Sequence, residues 1–381
     1  MSYFVILFSF GYVITLLCLA MPALRYRPLM ITRKTSPLNQ QAFSIIVVYR
    51  NEINNLPSLL ASLKAQFYDW DFIELIFVND ASTDGSPAII EQFSAYNPSI
   101  DIKLLDRIPN SNSAKKDGIT QAVDISKYDH ILLTDADCIL PTKWISAFNN
   151  HYKNYADALL VAAPVNLYGH GFIAALQQLE MMALQTITAG AFALRQPFMC
   201  NGANLSFRKD AFIEVNGYLG NDHLSSGDDI FLLEKLAAED VLQCQYLKNA
   251  DAMVQSASKT GWKELIQQRA RWARKGKETK SLLNKLVAFQ VGAMSLIFIL
   301  SPLFWWLELV SFKLLISIYL LKFFTDFVVL VIGNQFLEMK KWSGYFFPNF
   351  FVYPFIVVAI GLKGLQKLDW HDRIIDRNEH L

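Results

Sequence analysis

Hydrophobic positions are concentrated at the two ends of the chain. Residues 3–24 carry no charged side chain. Three further apolar runs lie near the other end, at 286–310, 314–333 and 344–362. Each of the four runs is long enough to cross a bilayer with a hydrocarbon core about 30 Å thick. The pattern predicts a membrane anchor over residues 1–24, a C-terminal membrane region over 285–363 with two or three spans, and a tail over 364–381.

Between these ends, residues 40–280 show the alternation of a water-soluble domain. Short apolar runs predict strands at 43–49, 72–78, 101–105, 130–134 and 158–163. Amphipathic stretches between them predict helices, for example at 57–66 and 87–96, each with a proline at its first position. Strands that alternate with helices are typical of an α/β domain with a mostly parallel sheet. Such sheets bind ligands at the carboxyl ends of their strands.

Composition narrows the classes of function. The 35 Lys and Arg residues balance 34 Asp and Glu, and the formal charge of +1 excludes a strongly basic nucleic-acid-binding protein. Charged residues make up only 18% of the chain, against roughly 25% in soluble domains, which favours a membrane protein. The four cysteines are far apart and form no C-x-x-C pair, so we expect neither a zinc site nor a disulfide framework.

Charged residues near the apolar runs predict the orientation in the membrane. The basic residues that follow the first run are Arg25, Arg27, Arg33 and Lys34. By the positive-inside rule, the 40–280 domain is cytoplasmic and the protein is integral to the inner (plasma) membrane. The C-terminal end is also basic, through Lys363, Lys367, Arg373 and Arg377. Three C-terminal spans would place that end outside, against the same rule, unless one of the three segments is interfacial or re-entrant.

The second C-terminal run contains two charged residues of opposite sign. Lys322 and Asp326 lie one helical turn apart. Residues with this spacing share one face of a helix and can pair. We therefore predict a structural ion pair that faces other protein segments rather than lipid.

Polar groups follow three of the predicted strands. They are Tyr49-Arg50-Asn51-Glu52, the turn from Asn79-Asp80 to Ser86, and Asp135-Ala136-Asp137. Two carboxylates at a strand end, as at Asp135 and Asp137, suit Mg²⁺ or Mn²⁺ shared with substrate phosphates. Asp69 and Asp71 have the same spacing but precede a strand, so we assign them to a surface loop. The turn after the second strand is equally suited to capping the helix that follows it.

The order of these motifs resembles that of the family 2 glycosyltransferases with a GT-A fold. The motifs are YRNE at 49–52, NDASTDGS at 79–86, Lys115-Lys116, DAD at 135–137, Gly227-Asp228-Asp229 and Q-x-x-R-W at 268–272. The last is the most specific, because Gln and Trp are uncommon residues. The resemblance covers about residues 43–275 and is greatest to the membrane-anchored branch that includes cellulose, chitin and hyaluronan synthases and ceramide glucosyltransferase. It implies a GT-A domain, with membrane helices on both sides of it.

The resemblance also implies a role for each motif. Donor binding falls to Tyr49, Asn51, Glu52, Asp80, Lys115 and Asp135, with Lys116 as an alternative to Lys115. Asp137 and Asp135 would hold the metal, Mg²⁺ or Mn²⁺. Asp229 would be the catalytic base and Asp228 its acidic neighbour. The acceptor and the leaving diphosphate would contact Asn204, Gln268, Arg271 and Trp272.

The function implied is inverting transfer of a sugar from a nucleotide sugar, a UDP-sugar, to a lipid or lipid-linked acceptor. A processive polysaccharide synthase that extrudes its product is the alternative, and a non-catalytic membrane adaptor or transporter is a third hypothesis. All the acidic motifs are present, which disfavours the third. Four predicted spans are few for a monomeric channel, which favours the lipid acceptor. The donor sugar, the linkage and the oligomeric state stay open, and no nucleic-acid partner is expected.

Overall fold

The computed structural model describes residues 2–25, 40–224, 226–339, 342–364, 368–370 and 373–375. The chain forms two compact units. The sheet unit comprises 26–166 and 195–257, and the helical unit comprises 1–25, 167–194 and 258–381. The predicted domain over 40–280 is therefore divided, because 167–194 and 258–280 belong to the helical unit.

A seven-stranded sheet lies at the centre of the sheet unit. Its strands are β1 (Phe43–Tyr49), β2 (Ile73–Asn79), β3 (Asp101–Asp106), β4 (His130–Leu133), β6 (Leu160–Ala162), β8 (Leu205–Arg208) and β9 (Cys244–Tyr246), in the order β3-β2-β1-β4-β8-β6-β9. β5 (Cys138–Ile139), β7 (Val165–Tyr168) and β10 (Val254–Ala257) form a smaller sheet. In the large sheet β3, β2, β1 and β4 are parallel, and β8 is antiparallel to both its neighbours. The predicted α/β class with a mostly parallel sheet is confirmed.

Helices connect these strands. They are α2 (Leu56–Lys64), α3 (Ser86–Tyr96), α4 (Ala114–Ile125), α5 (Trp144–Asn154), α7 (Lys209–Glu214) and α8 (Asp228–Asp240). Prolines in the first turns of α2 and α3 help to start them, because their ring fixes a helical φ. β1 and β2 are buried along almost their whole length, as expected for parallel strands covered on both faces. Each buried Val, Leu, Ile or Phe contributes roughly 1.5–3 kcal/mol.

The strand register brings the predicted site residues to one edge of the sheet. Tyr49 at the end of β1 is opposite Asn79 at the end of β2, which in turn is opposite Asp106 at the end of β3. β4 ends earlier, with Leu133 opposite Ile46. The residues that follow these four strands therefore emerge on the same side.

The helical unit contains the apolar runs. Its helices are α1 (Ser2–Ala20, continued by a turn to Arg25), α6 (Phe172–Ala193), α9 (Trp262–Glu278), α10 (Leu282–Trp306), α11 (Phe312–Leu337) and α12 (Trp342–Lys363). By length and composition, α1 with its turn, α10, α11 and α12 could each cross a membrane. Each predicted apolar run corresponds to one of these four helices, although the run at 286–310 extends beyond the end of α10 at Trp306. Two short strands, β11 (Leu368–Trp370) and β12 (Arg373–Ile375), pair antiparallel near the end of the chain.

Helix α6 is not among the predicted elements, yet it packs closely on α1 and α11. A Cβ on Gly190 of α6 would lie 1.5 Å from the carbonyl oxygen of Leu19 in α1. A Cβ on Gly333 of α11 would lie 2.3 Å from Thr186 Oγ1 in α6. Small residues at helix contacts allow backbones to approach in this way. The three helices thus form one tightly packed group.

The predicted ion pair within the second C-terminal run is confirmed. Lys322 pairs with Asp326, and the Lys322 residue is only 3% exposed. Asp326 also accepts a hydrogen bond from the Tyr12 hydroxyl of α1. The Lys322 ammonium lies 5.2 Å from the centre of the Phe350 ring of α12. The pair therefore faces protein and links α11 to both of these helices.

Candidate active site

Lys115, in the first turn of α4, joins two of the predicted acidic motifs. Its Nζ lies 2.7 Å from Asp135 Oδ1 and 2.9 Å from Asp228 Oδ2. The lysine side chain is 26% exposed, so the group is open to solvent on one side. Burial on its own lowers the pKa of Lys115, but the charges of Asp135 and Asp228 outweigh it and hold that pKa well above its ordinary value. The ammonium therefore stays protonated at neutral pH.

Lys116 has different partners, although it is the next residue. It is 1% exposed, and its Nζ donates to the carbonyl oxygens of Asn221 at 2.6 Å and Leu224 at 2.9 Å. The same ammonium lies 4.9 Å from the centre of the Phe231 ring. Of the two lysines, Lys115 is thus the one placed among the acidic motifs, whereas Lys116 holds the loop that precedes α8.

Asp228 and Asp229 begin α8, and both are buried. Asp229 accepts hydrogen bonds from the N–H of Ile230 at 2.8 Å and of Gly202 at 3.3 Å. The first of these is a helix-start contact, as a capping role would predict, and carboxylates are stabilised at helix N-termini. Gly202 also permits a close approach, since a Cβ there would lie 2.6 Å from Asp228 Oδ2 and 3.2 Å from Lys115 Nζ. Asp228 therefore contacts Lys115, while Asp229 contacts the segment around Gly202.

Asp135 and Asp137 are the predicted metal ligands. Both are half-buried, while Ala136 between them is buried, so the two carboxylates are more exposed than the residue that separates them. Asp137 Oδ2 lies 3.4 Å from Ser256 Oγ, and Asp137 Oδ1 lies 3.6 Å from Cys138 Sγ. Within the described ranges, no group of three or more His, Cys, Asp or Glu side chains could hold a metal. Two carboxylates nonetheless fit Mg²⁺ or Mn²⁺, which commonly take their remaining ligands from substrate phosphates and water.

Asp69 and Asp71, which have the same spacing as Asp135 and Asp137, lie outside the site. Asp69 Oδ1 accepts a hydrogen bond from the Asp71 N–H at 3.1 Å and caps the short turn Trp70–Phe72 that leads into β2. Asp69 and Asp71 are exposed. The prediction of a surface loop is confirmed.

Asp80 is buried and is paired with arginines. Arg107 Nε lies 2.6 Å from Asp80 Oδ1, and its Nη1 lies 2.9 Å from Asp117 Oδ2. Arg50 Nη1 lies 3.7 Å from Asp80 Oδ2. The Asp80 N–H also donates to the Tyr49 carbonyl oxygen at 2.8 Å, which joins the ends of β1 and β2. The sequence motifs did not identify Arg107. Its position directly after β3, at the same edge as the other strand ends, could have indicated it.

The segments that follow β1 and β2 are joined by hydrogen bonds. Asn51 Oδ1 accepts from the Thr83 N–H at 2.8 Å, and the Glu52 N–H donates to Ser86 Oγ at 2.8 Å. Asp84 Oδ1 accepts from the Ser86 N–H at 2.9 Å, at the start of α3. The turn 79–86 therefore performs the capping role and also fixes the loop that carries Asn51 and Glu52.

Asn204 lies inside the scaffold of the sheet unit. It is 0% exposed, and its Oδ1 accepts from Trp144 Nε1 at 2.8 Å. Its Nδ2 donates to the carbonyl oxygens of Pro164 and Ala252, each at 2.7 Å. A substrate cannot reach this amide, so the structure gives Asn204 a structural role instead of the predicted contact with the acceptor.

Gln268, Arg271 and Trp272 lie on α9, in the helical unit. All three are half-buried. Arg271 forms no ion pair with the residues that the structure describes, and burial lowers the pKa of its guanidinium. Arginine nevertheless remains protonated in proteins, so Arg271 carries a positive charge that no described carboxylate neutralises.

Two family descriptions match the sequence: Glycosyl transferase family 2 over residues 44–215 and Glycosyl transferase family group 2 over residues 130–357. Among curated proteins, Glycosyltransferase AglE of Haloferax volcanii is 23% identical to the chain over 209 residues. That match covers 53% of this chain and 66% of AglE, slightly less than two thirds of its length.

The chain was also compared with solved structures. Mannosyltransferase PcManGT from Pyrobaculum calidifontis, in complex with GDP-Man and Mn²⁺, matches with a TM-score of 0.60 and 15% identity, over 98% of this chain and 99% of that one. S. aureus TarS 1–349 in complex with UDP matches with a TM-score of 0.44 and 15% identity, over 87% and 95% of the two chains. The match to PcManGT confirms the predicted GT-A-like fold.

Proposed function

Because the chain belongs to the family 2 glycosyltransferases, we propose that it moves a sugar from a nucleotide sugar to a lipid or lipid-linked acceptor, with inversion at the anomeric carbon. The observation that carries this proposal is the meeting of Lys115, Asp135 and Asp228 beside the strand ends. A protonated lysine next to potential metal ligands suits a ligand that carries a diphosphate and a divalent cation. A nucleotide sugar is such a ligand.

The leaving group explains the need for positive charge. When the bond between sugar and phosphate breaks, negative charge develops on the nucleoside diphosphate. Lys115 stabilises that charge most strongly in the transition state, where the charge is growing. Asp135 and Asp137 would hold Mg²⁺ or Mn²⁺, which supplies Lewis-acid stabilisation of phosphate oxygens when bound.

The acceptor hydroxyl is a weak nucleophile and must lose its proton as it attacks. We assign this task to Asp229, whose carboxylate is held by the N–H groups of Ile230 and Gly202. A carboxylate is a group that can take up the proton of an attacking hydroxyl. One base suffices for a direct displacement, which inverts the configuration of the sugar.

Gln268, Arg271 and Trp272 are assigned to the acceptor or the leaving diphosphate on the resemblance of their motif. Arg271 has no carboxylate partner among the described residues, which supports a role in binding an anion. The lipid acceptor is supported by the four helices that could cross a membrane, which are few for the channel of a synthase. The basic residues after α1 support a cytoplasmic sheet unit.

Release of nucleoside diphosphate tests this proposal. Full-length protein purified in detergent is incubated with a panel of UDP- and GDP-sugars, with Mn²⁺, with Mg²⁺ or with EDTA. GDP-sugars are included because the PcManGT structure is a complex with GDP-Man. We expect one donor to be hydrolysed slowly without acceptor, faster with membrane lipid extract, and not with EDTA.

Mass spectrometry of the extract then identifies the product. A lipid that gains one hexosyl unit supports the proposal, whereas a long polymer indicates the processive synthase. Failure to bind or cleave any nucleotide sugar would refute both.

A further inference from the structure

A buried ion pair lies inside the helical unit, next to the Q-x-x-R-W motif. Arg269 Nε of α9 lies 2.6 Å from Glu180 Oε2 of α6, and the two side chains are 3% and 7% exposed. The Tyr353 hydroxyl of α12 donates to the other oxygen of Glu180 at 3.2 Å. Three helices therefore converge on one carboxylate.

The guanidinium of Arg269 also holds two side chains of the motif. Its Nη1 donates to Gln268 Oε1 at 2.6 Å, and its Cζ lies 4.1 Å from the centre of the Trp272 ring. Arginine carries five N–H donors in a rigid plane and can stack on an aromatic ring. One side chain can therefore pair with Glu180, bond Gln268 and stack on Trp272 at once.

This arrangement fixes the orientation of the Gln268 amide. A guanidinium only donates, so the Gln268 atom that faces it must be the carbonyl oxygen. The NH₂ group consequently points elsewhere, and it has no hydrogen-bond partner in the described part of the chain. Gln268 is thus held with two N–H donors available to an oxygen of a ligand.

Stability alone does not account for the pair. Taking two charges out of water offsets much of their attraction, so a buried ion pair is weak support for a stabilising role. Arg269 Nη2 is moreover buried without a partner among the residues described here, which is unfavourable by itself. An arginine is needed at this position because it contacts Gln268 and Trp272 at the same time.

We propose that Glu180 and Arg269 are positioning residues for sugar transfer. They hold the Gln268 donors and one face of the Trp272 ring in the geometry that the substrate requires. The inference rests on the proposed function, which assigns Gln268 and Trp272 to the acceptor or the leaving diphosphate. Arg269 lies directly after Gln268 in the motif and acts through its neighbours.

The test compares full-length variants in detergent. Arg269→Lys keeps a charge for Glu180, but an ammonium cannot also bond Gln268 and stack on Trp272 in the same way. We expect kcat with the donor that the wild type cleaves to fall about 10²-fold, the usual effect of misplaced substrate contacts. Tm should change by less than about 3 °C. Lys263→Gln, at an exposed position of the same helix, is the control and should match the wild type.

Two further variants separate positioning from a purely structural link between helices. The charge swap, Glu180→Arg with Arg269→Glu, restores an ion pair between α6 and α9. Its Tm should stay close to that of the wild type, while its kcat should stay low. If the swap does not fold, Glu180→Gln keeps the shape and an acceptor oxygen, and should lower kcat more than Tm. Recovery of kcat by the swap, or wild-type kcat in Arg269→Lys, would overturn the inference.

A spectroscopic measurement that does not depend on catalysis separates the positioning role from the proposed function. The protein has eight Trp residues, and labelling with 5-fluorotryptophan gives each of them a ¹⁹F resonance. The resonance that is missing from the spectrum of Trp272→Phe is that of Trp272. That resonance should move in Arg269→Lys and stay in place in Lys263→Gln. An unmoved Trp272 resonance contradicts the positioning, even if the protein is active. If the wild type transfers no sugar but the resonance depends on Arg269, the proposed function fails and the positioning stands.

Discussion

Lys115 and Lys116 are neighbours in the sequence, but their ammonium groups have entirely different partners. Lys115 bridges the carboxylates of Asp135 and Asp228, whereas Lys116 donates to the carbonyl oxygens of Asn221 and Leu224. Successive residues on a helix point about 100° apart, which allows this division. Lys115 is therefore the lysine that we propose for the substrate, whereas Lys116 binds the loop before α8.

The two lysines should respond differently to replacement by methionine. Lys115→Met should lower transfer by about 10²–10³-fold, because it removes positive charge that the leaving diphosphate needs. Its Tm should change little. Lys116→Met should instead lower the free energy of unfolding by about 1–3 kcal/mol for each carbonyl left unsatisfied. Kinetics and thermal unfolding of both variants check the division, and a reversed pattern would contradict it.

Asp137→Ala should abolish metal-dependent donor binding and leave the fold intact, because it removes a half-buried carboxylate at a strand end. Asp69→Ala is the matched control from the surface loop and should retain wild-type activity. Titration with UDP in the presence and absence of Mn²⁺ checks both variants. Undiminished Mn²⁺-dependent binding to Asp137→Ala would remove Asp137 from the metal site.

His151 should make the protein less stable in mild acid. Burial lowers the pKa of His151 to about 4, although its hydrogen bond with Gln245 acts in the opposite direction. The unfolded chain takes up a proton near pH 6.5 and the native state does not, so stability is lost as pH falls from 6.5 towards 4, by about 1.4 kcal/mol per pH unit at most. Tm should therefore drop between pH 7 and pH 5, and His151→Gln should reduce the drop. An equal drop in both proteins would contradict this assignment.

The proposed orientation can be checked by thiol labelling. Ala95 is exposed on α3, so a cysteine introduced there can be reached by an impermeant reagent only from the side that the sheet unit occupies. We expect no labelling in intact cells and full labelling after lysis. Labelling of intact cells would reverse the orientation inferred from Arg25 and its basic neighbours.

Sequence reasoning predicted most of the sheet, because its strands are short apolar runs between clear turn residues. β1 matches the prediction at both ends, and β2 begins one residue later than predicted. Helix α6 escaped prediction because it is long and apolar but carries polar residues such as Gln177 and Glu180, whose partners are distant in sequence.

Site roles were less predictable, because they depend on where each side chain finds its partners. Asn204 belongs to a motif-like segment, yet three distant groups satisfy its amide. Arg107 belongs to no motif, yet it links Asp80 and Asp117. The choice between Lys115 and Lys116 likewise depended on tertiary contacts.

If Asp229 is the base, its replacement should affect the transfer step and not the binding of the donor. Asp229→Asn keeps the shape and most of the hydrogen bonds but cannot accept the acceptor proton. Asp228→Asn is the natural comparison, since Asp228 contacts Lys115 and its replacement leaves the Asp229 carboxylate in place. It should therefore be the milder of the two.

The most direct test of the account is the transfer rate of Asp229→Asn, measured together with its affinity for the donor. We predict that transfer falls by roughly 10²–10⁴-fold, the usual effect of losing a general base, while donor affinity changes little. A dead Asp228→Asn beside a nearly normal Asp229→Asn would invert the assignment within the pair. Near-normal transfer by both variants would contradict the proposal that this acidic pair performs the chemistry.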